Sequence, residues 1–84
     1  NVHPGEILKM ELIEGRKLSM RKIAKLLDST VLDISNITRG KAGISRNMAL
    51  KLEAVFGSKA EFVMRLQLNY NLEKAKNNLN SKLD

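Results

Sequence analysis

SMRKIAKLLDSTVLDISNITRG, running from Ser19 to Gly40, reads as two short amphipathic helices with a break between them. Ser19 can cap the first, whose Ile23, Ala24 and Leu27 face inward. Asp28-Ser29-Thr30 interrupts it. Thr30 followed three residues later by Asp33 resembles a capping pair for the second helix, which carries Ile34 and Ile37 and closes at Gly40. Counted from Met20 as the first position, Ala24 falls fifth, where a small side chain lets two helices cross closely. Ile23 and Leu27 fall fourth and eighth, and Ile34 and Ile37 fall fifteenth and eighteenth, where apolar side chains anchor both helices to a core. Two short helices three or four residues apart, with basic residues after them, predict a helix-turn-helix.

The flanks keep the same helical period. Apolar residues recur at spacings of three and four, and β-branched residues do not alternate with polar ones, so the chain reads as all-α. His3-Pro4-Gly5-Glu6 suits a helix start, with Ile7, Leu8, Leu12 and Ile13 on one face and Gly15 as its end. Beyond the motif, Ser45 can cap a helix carrying Ala49, Leu50, Leu52 and Phe56, with Gly57 as its stop. Ser58-Lys59-Ala60-Glu61 has the form of a capping box for a fifth. With 84 residues, one domain over 1–76 is expected, and the polar end 77–84 is expected to fray. A domain of this size buries only about 60% of its unfolded surface, so a paired second copy would add stability.

The fifth helix carries two apolar faces. Phe62, Val63, Leu66 and Tyr70 are expected to complete the core. Met64, Leu68, Leu72, Ala75 and Leu79 lie on the other side, where a second copy is expected to cover Met64, Leu68, Leu72 and Ala75.

The net charge of +6 is concentrated. Between Arg16 and Lys51 nine basic residues face only Asp28 and Asp33, a segment charge of +7, which points to a polyanion or to a solubilising surface. Without cysteine, and with His3 as the single histidine, the chain offers no thiolate nucleophile and no metal set. It also lacks a phosphate-cradling glycine motif, so neither an enzyme nor a cofactor is expected. No apolar run approaches a membrane span, and NVHPGE has no signal-peptide character, so a cytoplasmic protein without membrane contact is expected.

Five segments, HPGEIL (3–8), LSMRKIAKLL (18–27), ISNITRGKAGIS (34–45), ALKLEAVFG (49–57) and EFVMRLQLNYNLEKAK (61–76), together resemble HigA-type antitoxins. These belong to the wider group of Cro and phage-repressor-like helix-turn-helix proteins. The resemblance implies a five-helix, lambda-repressor-like fold and a homodimer. It also implies two ligands, operator double-stranded DNA, through which the protein represses its own operon, and a HigB-type toxin, a ribosome-dependent messenger-RNA nuclease that it neutralises. A free-standing repressor without a toxin, and a protein-binding antitoxin with weakened DNA contact, are the alternatives.

The second helix of the motif departs from the usual pattern. Asp28 stands where glycine is common, and Ser29 where an apolar residue is. Val31 and Leu32 occupy positions that often carry polar base-reading side chains; they can pack on thymine methyl groups or meet a protein. Asn36 has the donor and acceptor that adenine requires, and Ser35 can make a smaller polar contact. Ser19 and Thr30 offer hydroxyls and helix N-termini to phosphate, and Arg21, Arg39, Lys41 and Arg46 supply charge. Glu6, Glu11 and Glu14 give the first helix an acidic side that suits a basic toxin.

Overall fold

Most of the helices start where a side chain accepts a hydrogen bond from an otherwise unpaired amide. The computed structural model describes residues 3–83, with side chains as far as residue 80. Its described residues form five helices and no strand. The first, α1, is α-helical over Pro4–Leu8 and widens into π-helical turns over Lys9–Gly15; then come α2 (Met20–Leu26), α3 (Val31–Thr38), α4 (Arg46–Phe56) and α5 (Ala60–Leu83). The hydroxyls of Ser19, Thr30 and Ser45 accept from the amides of Lys22, Asp33 and Met48 at 3.1, 3.0 and 3.1 Å. Each such cap contributes about 1 kcal/mol. No described helix is long and apolar enough to cross a membrane. Of the expected frayed end 77–84, helix α5 continues to Leu83, and Asp84 lies outside the described residues.

Left-handed residues stop α2, α3 and α4 at Asp28 (φ 51°), Gly40 (φ 76°) and Gly57 (φ 80°). The first helix differs from its sequence reading. Gly15 remains inside the π-helical turns, and the left-handed residue is Lys17 (φ 60°). The cause is the wider winding, in which the Arg16 amide reaches back to the Glu11 carbonyl and that of Leu18 to Leu12, both at 3.0 Å. The chain therefore reverses two residues later than an α-helical end would.

All five helices contribute to one core, built around Leu8, Leu12, Ile23, Leu27, Ile34, Ile37, Ala49, Leu52 and Val63, with Ile44 added from the loop before α4. Two expectations for α5 need correction. Phe62 is half exposed, because the inward face is centred on Val63 and Gln67, which turns Phe62 to the rim. The amide of Ala60 is capped by the Glu53 carboxylate from α4 at 2.8 Å rather than from within 58–61. The helix starts one residue later than the expected box requires.

The first turn of α1 packs against the end of α3 through His3, Pro4 and Gly5. Pro4 has no amide to satisfy, and the Gly5 amide donates to His3 Nδ1 at 2.9 Å. With both backbone sites accounted for, this turn is buried, and a Cβ at Gly5 would collide with the Ile37 carbonyl. The His3 ring meets Tyr70 of α5 edge-on, with centroids 4.7 Å apart.

Burial lowers the His3 pKa; Glu6 pulls it upward and Lys74 of α5 pushes it down, with burial dominant. The neutral ring is the one that accepts from Gly5, so the unfolded chain takes up the proton more readily. This contribution is therefore complete above the ordinary histidine value of 6.5 and declines as the pH falls below it towards the depressed folded value. Urea melts between pH 7.5 and 5 should show stability dropping on acidification. A His3→Asn variant, which keeps a capping acceptor but does not titrate, should show a flatter profile; an equal slope in both would assign the acid sensitivity to other groups.

Candidate nucleic-acid interface

The turn between α2 and α3 is held by backbone hydrogen bonds and by one long-range side chain. Ser29 and Asp28 donate their amides to the carbonyls of Ala24 and Lys25 at 2.8 and 3.3 Å, the paired bonds of a Schellman stop. The Ser29 hydroxyl donates to Asp33 Oδ2 at 3.3 Å, and Lys51 Nζ reaches from α4 to the Asp28 carbonyl at 3.4 Å. Asp33 is therefore only half of the expected capping pair. Its amide is capped by Thr30, while its carboxylate turns back to Ser29.

On α3 the buried residues are Ile34, Ile37 and Thr38. At about 100° per residue, the side opposite them carries Leu32, Ser35, Asn36 and Arg39, at i, i+3, i+4 and i+7. Leu32 and Arg39 are exposed, and Ser35 and Asn36 are partly so; Val31 is exposed at one edge of the stripe. Ser19 and Thr30 sit at the N-termini of α2 and α3. Each hydroxyl oxygen already accepts a backbone amide, which leaves its proton free to donate outward. Arg21, Lys41 and Arg46 are exposed on α2, on the loop after α3 and at the start of α4. Lys41 is placed by a second Schellman stop, in which its amide and that of Gly40 donate to the carbonyls of Asn36 and Ile37 at 2.8 and 3.1 Å.

Two residues of the basic middle serve the fold instead. Lys51 braces the turn, and Arg16 donates to the Phe56 carbonyl at 3.4 Å with its guanidinium 5.4 Å from the Phe56 ring. Nothing local in the sequence distinguishes them from the surface cations.

Solved structures share this arrangement over nearly the whole chain. The Pseudomonas aeruginosa antitoxin HigA, solved with higBA promoter, superposes with a TM-score of 0.89 at 32% identity, covering 99% of this chain and 90% of that one. An addiction module antidote protein of a HigA family from Coxiella burnetii gives 0.87 at 34% identity, covering 98% and 89%. The chain belongs to the HigA family of helix-turn-helix proteins. Among sequence relatives, virulence-associated protein I of Dichelobacter nodosus is 36% identical over 74 residues, 88% of this chain and 68% of that protein. The chain spans 61% to 68% of the length of such relatives. No protein-family model matches it.

The remaining sequence-chosen residues of this HigA-family chain fall on two other surfaces. Leu68, Leu72 and Ala75 are exposed on α5 together with Leu79, but Met64 is half buried against the core and contributes only its outer edge. Met64 stands beside Val63, at the border between the inward and outward faces. Glu6, Glu11 and Glu14 are all exposed on the first helix. A residue that sequence reading passed over is Gln67. It is buried, its Oε1 accepts from the Ile44 amide at 2.9 Å, and its Nε2 donates to Asn71 at 3.0 Å. It thereby ties α5 to the loop that follows α3.

Asp28 carries the left-handed position that glycine occupies at low cost. Asp28→Gly should raise stability by about 0.5–1 kcal/mol, the left-handed penalty less the extra freedom of glycine in the unfolded chain. Denaturant titration measures it, and a loss of stability would show that the aspartate side chain contributes more than its backbone strain costs.

Proposed function

We propose that this chain is the antitoxin of a HigBA-type toxin–antitoxin operon, a cytoplasmic binding protein that represses its own operon and neutralises a HigB-type toxin. The observation that carries the DNA half is the exposed stripe of α3, flanked by two capped helix N-termini and by Arg21, Lys41 and Arg46. A stripe that carries Ser35 and Asn36 and ends in a cation, beside hydroxyl donors at two helix N-termini, suits a major groove between two phosphate backbones. In this reading Asn36 and Ser35 meet base edges, while Ser19, Arg21, Thr30, Arg39, Lys41 and Arg46 hold phosphates.

One domain over 1–76 does this work, and α5 is also its dimerisation element. Leu68, Leu72, Ala75 and Leu79 lie within about 60° of arc on a helix face that no described residue covers. Full burial of each leucine would contribute about 1.5–3 kcal/mol before the cost of association. Two copies related by a two-fold axis would read an inverted repeat with half-sites about 10 base pairs apart, or a multiple of that. The toxin contact is assigned to the acidic side of the first helix, Glu6, Glu11 and Glu14, so toxin and operator use different helices.

Binding to duplexes selected from random DNA should fall steeply with salt. Arg39→Ala should weaken all sequences about equally, and Asn36→Ala should relax preference at one base pair for about 1–3 kcal/mol. Both variants should still copurify with the toxin encoded beside the chain. Salt-independent binding, or loss of toxin capture by these folded variants, would count against the assignment.

Leu68→Glu should shift the protein towards monomer in analytical ultracentrifugation. An unchanged sedimentation coefficient would place the dimer contact elsewhere.

A further inference from the structure

We propose that the tip of α3 is a methyl reader, in which Leu32 packs on a thymine C5-methyl group in the major groove and Val31 only flanks the contact. This rests on the operator-binding reading above and adds the base class that it recognises. Leu32 is 69% exposed, more than any other large apolar side chain described, and Val31 is 46% exposed. Both stand in the first turn of α3, directly after its Thr30 cap, at the end of the helix that a helix-turn-helix presents to base edges.

Neither side chain can donate or accept a hydrogen bond. Of the groups that line the major groove, only the thymine methyl offers such side chains an apolar contact. The charged neighbour is turned aside. Asp33 lies about 100° further round the helix from Leu32, and its carboxylate accepts from the Ser29 hydroxyl at 3.3 Å, so it does not compete for the base in front of Leu32. Asn36 follows Leu32 by four residues, about 6 Å along the helix axis. At 3.4 Å per base step this is about two steps. With the axis of α3 lying along the groove, the half-site carries a thymine and, about two base pairs away, an adenine for the Asn36 amide.

The test starts from duplexes recovered by in vitro selection with the unaltered chain, which should contain thymine at a fixed position in each half-site. Replacing that thymine by uracil removes only the methyl. Fluorescence anisotropy should show a loss of about four-fold per methyl removed, the equilibrium factor of one buried methylene. Leu32→Ala changes no capped or core residue, and its melting curve should match that of the parent. It should bind the thymine duplex as weakly as the parent binds the uracil duplex, and should not distinguish the two. Equal binding of both duplexes by the parent, or discrimination that survives in Leu32→Ala, overturns the methyl reader. Salt-dependent, sequence-selective binding in those same experiments would leave the operator reading standing and give the tip to a protein contact. Absence of binding to any duplex would remove both.

Discussion

The whole arrangement depends on how closely the first turn of α1 lies against the last turn of α3. At Gly5 the separation leaves no room for one further carbon in front of the Ile37 carbonyl. Two backbones can approach this far only if the buried turn has no unsatisfied donor, and the three residues His3-Pro4-Gly5 meet that condition together. Proline lacks the amide, glycine lacks the Cβ, and histidine supplies the acceptor for the one amide that remains. The same imidazole then touches Tyr70 of α5, and the ring faces Gly40, the left-handed stop of α3. Three helices thus meet at a single residue near the chain's start.

How much of this the sequence revealed divides along the range of the interaction. The caps at Ser19, Thr30 and Ser45 and the stops at Asp28, Gly40 and Gly57 involve residues within five positions of one another, so spacing alone exposes them. The inward faces of α2 and α3 were equally legible, because helical period decides them. Gln67 was not, since a glutamine between apolar neighbours reads as surface until the Ile44 amide, 23 residues away, is known to need its oxygen. Glu53, Lys51 and Arg16 are of the same kind. Each is a charged residue whose partner is a backbone group on another element. The HPGE segment falls between, legible as a helix start but not as a contact with the recognition helix. Phe62 differs by less, a rotation of the inward face of α5 by less than one residue's angle.

The turn of the helix-turn-helix shows how a departure from the usual residue is accommodated. An aspartate in the left-handed region is less favourable than glycine, yet its own carbonyl is held by Lys51 and the following serine is held by Asp33. These contacts come from α4 and α3, the two elements that the turn must keep in register. The serine that stands in place of an apolar residue has a matching role, because an apolar side chain there could not hold the Asp33 carboxylate away from the exposed face of α3.

Operator reading by a paired chain makes a demand that a monomer does not. The distance and angle between two recognition helices are set by the seam that joins the copies, and a seam on α5 fixes them only if α3 cannot move relative to α5. Apolar packing by itself permits small sliding, because it is non-directional. Here the directional fastenings lie around the end of α3. His3 links α1 to Tyr70 beside Gly40, and Gln67 bonds the Ile44 amide, with its amide group pressed so close to Gly43 that a Cβ there would lie 3.0 Å from it. Both fastenings reach α5 within one helical turn of each other, at Gln67 and Tyr70, and the exposed leucines begin beside them at Leu68. A displacement of the loop that follows α3 would have to break the buried hydrogen bond between the Ile44 amide and Gln67, which costs more than the loss of a few apolar contacts. Buried Gln67 is thus the residue that would transmit the geometry of a seam on one side of α5 to the exposed stripe of α3 on the other.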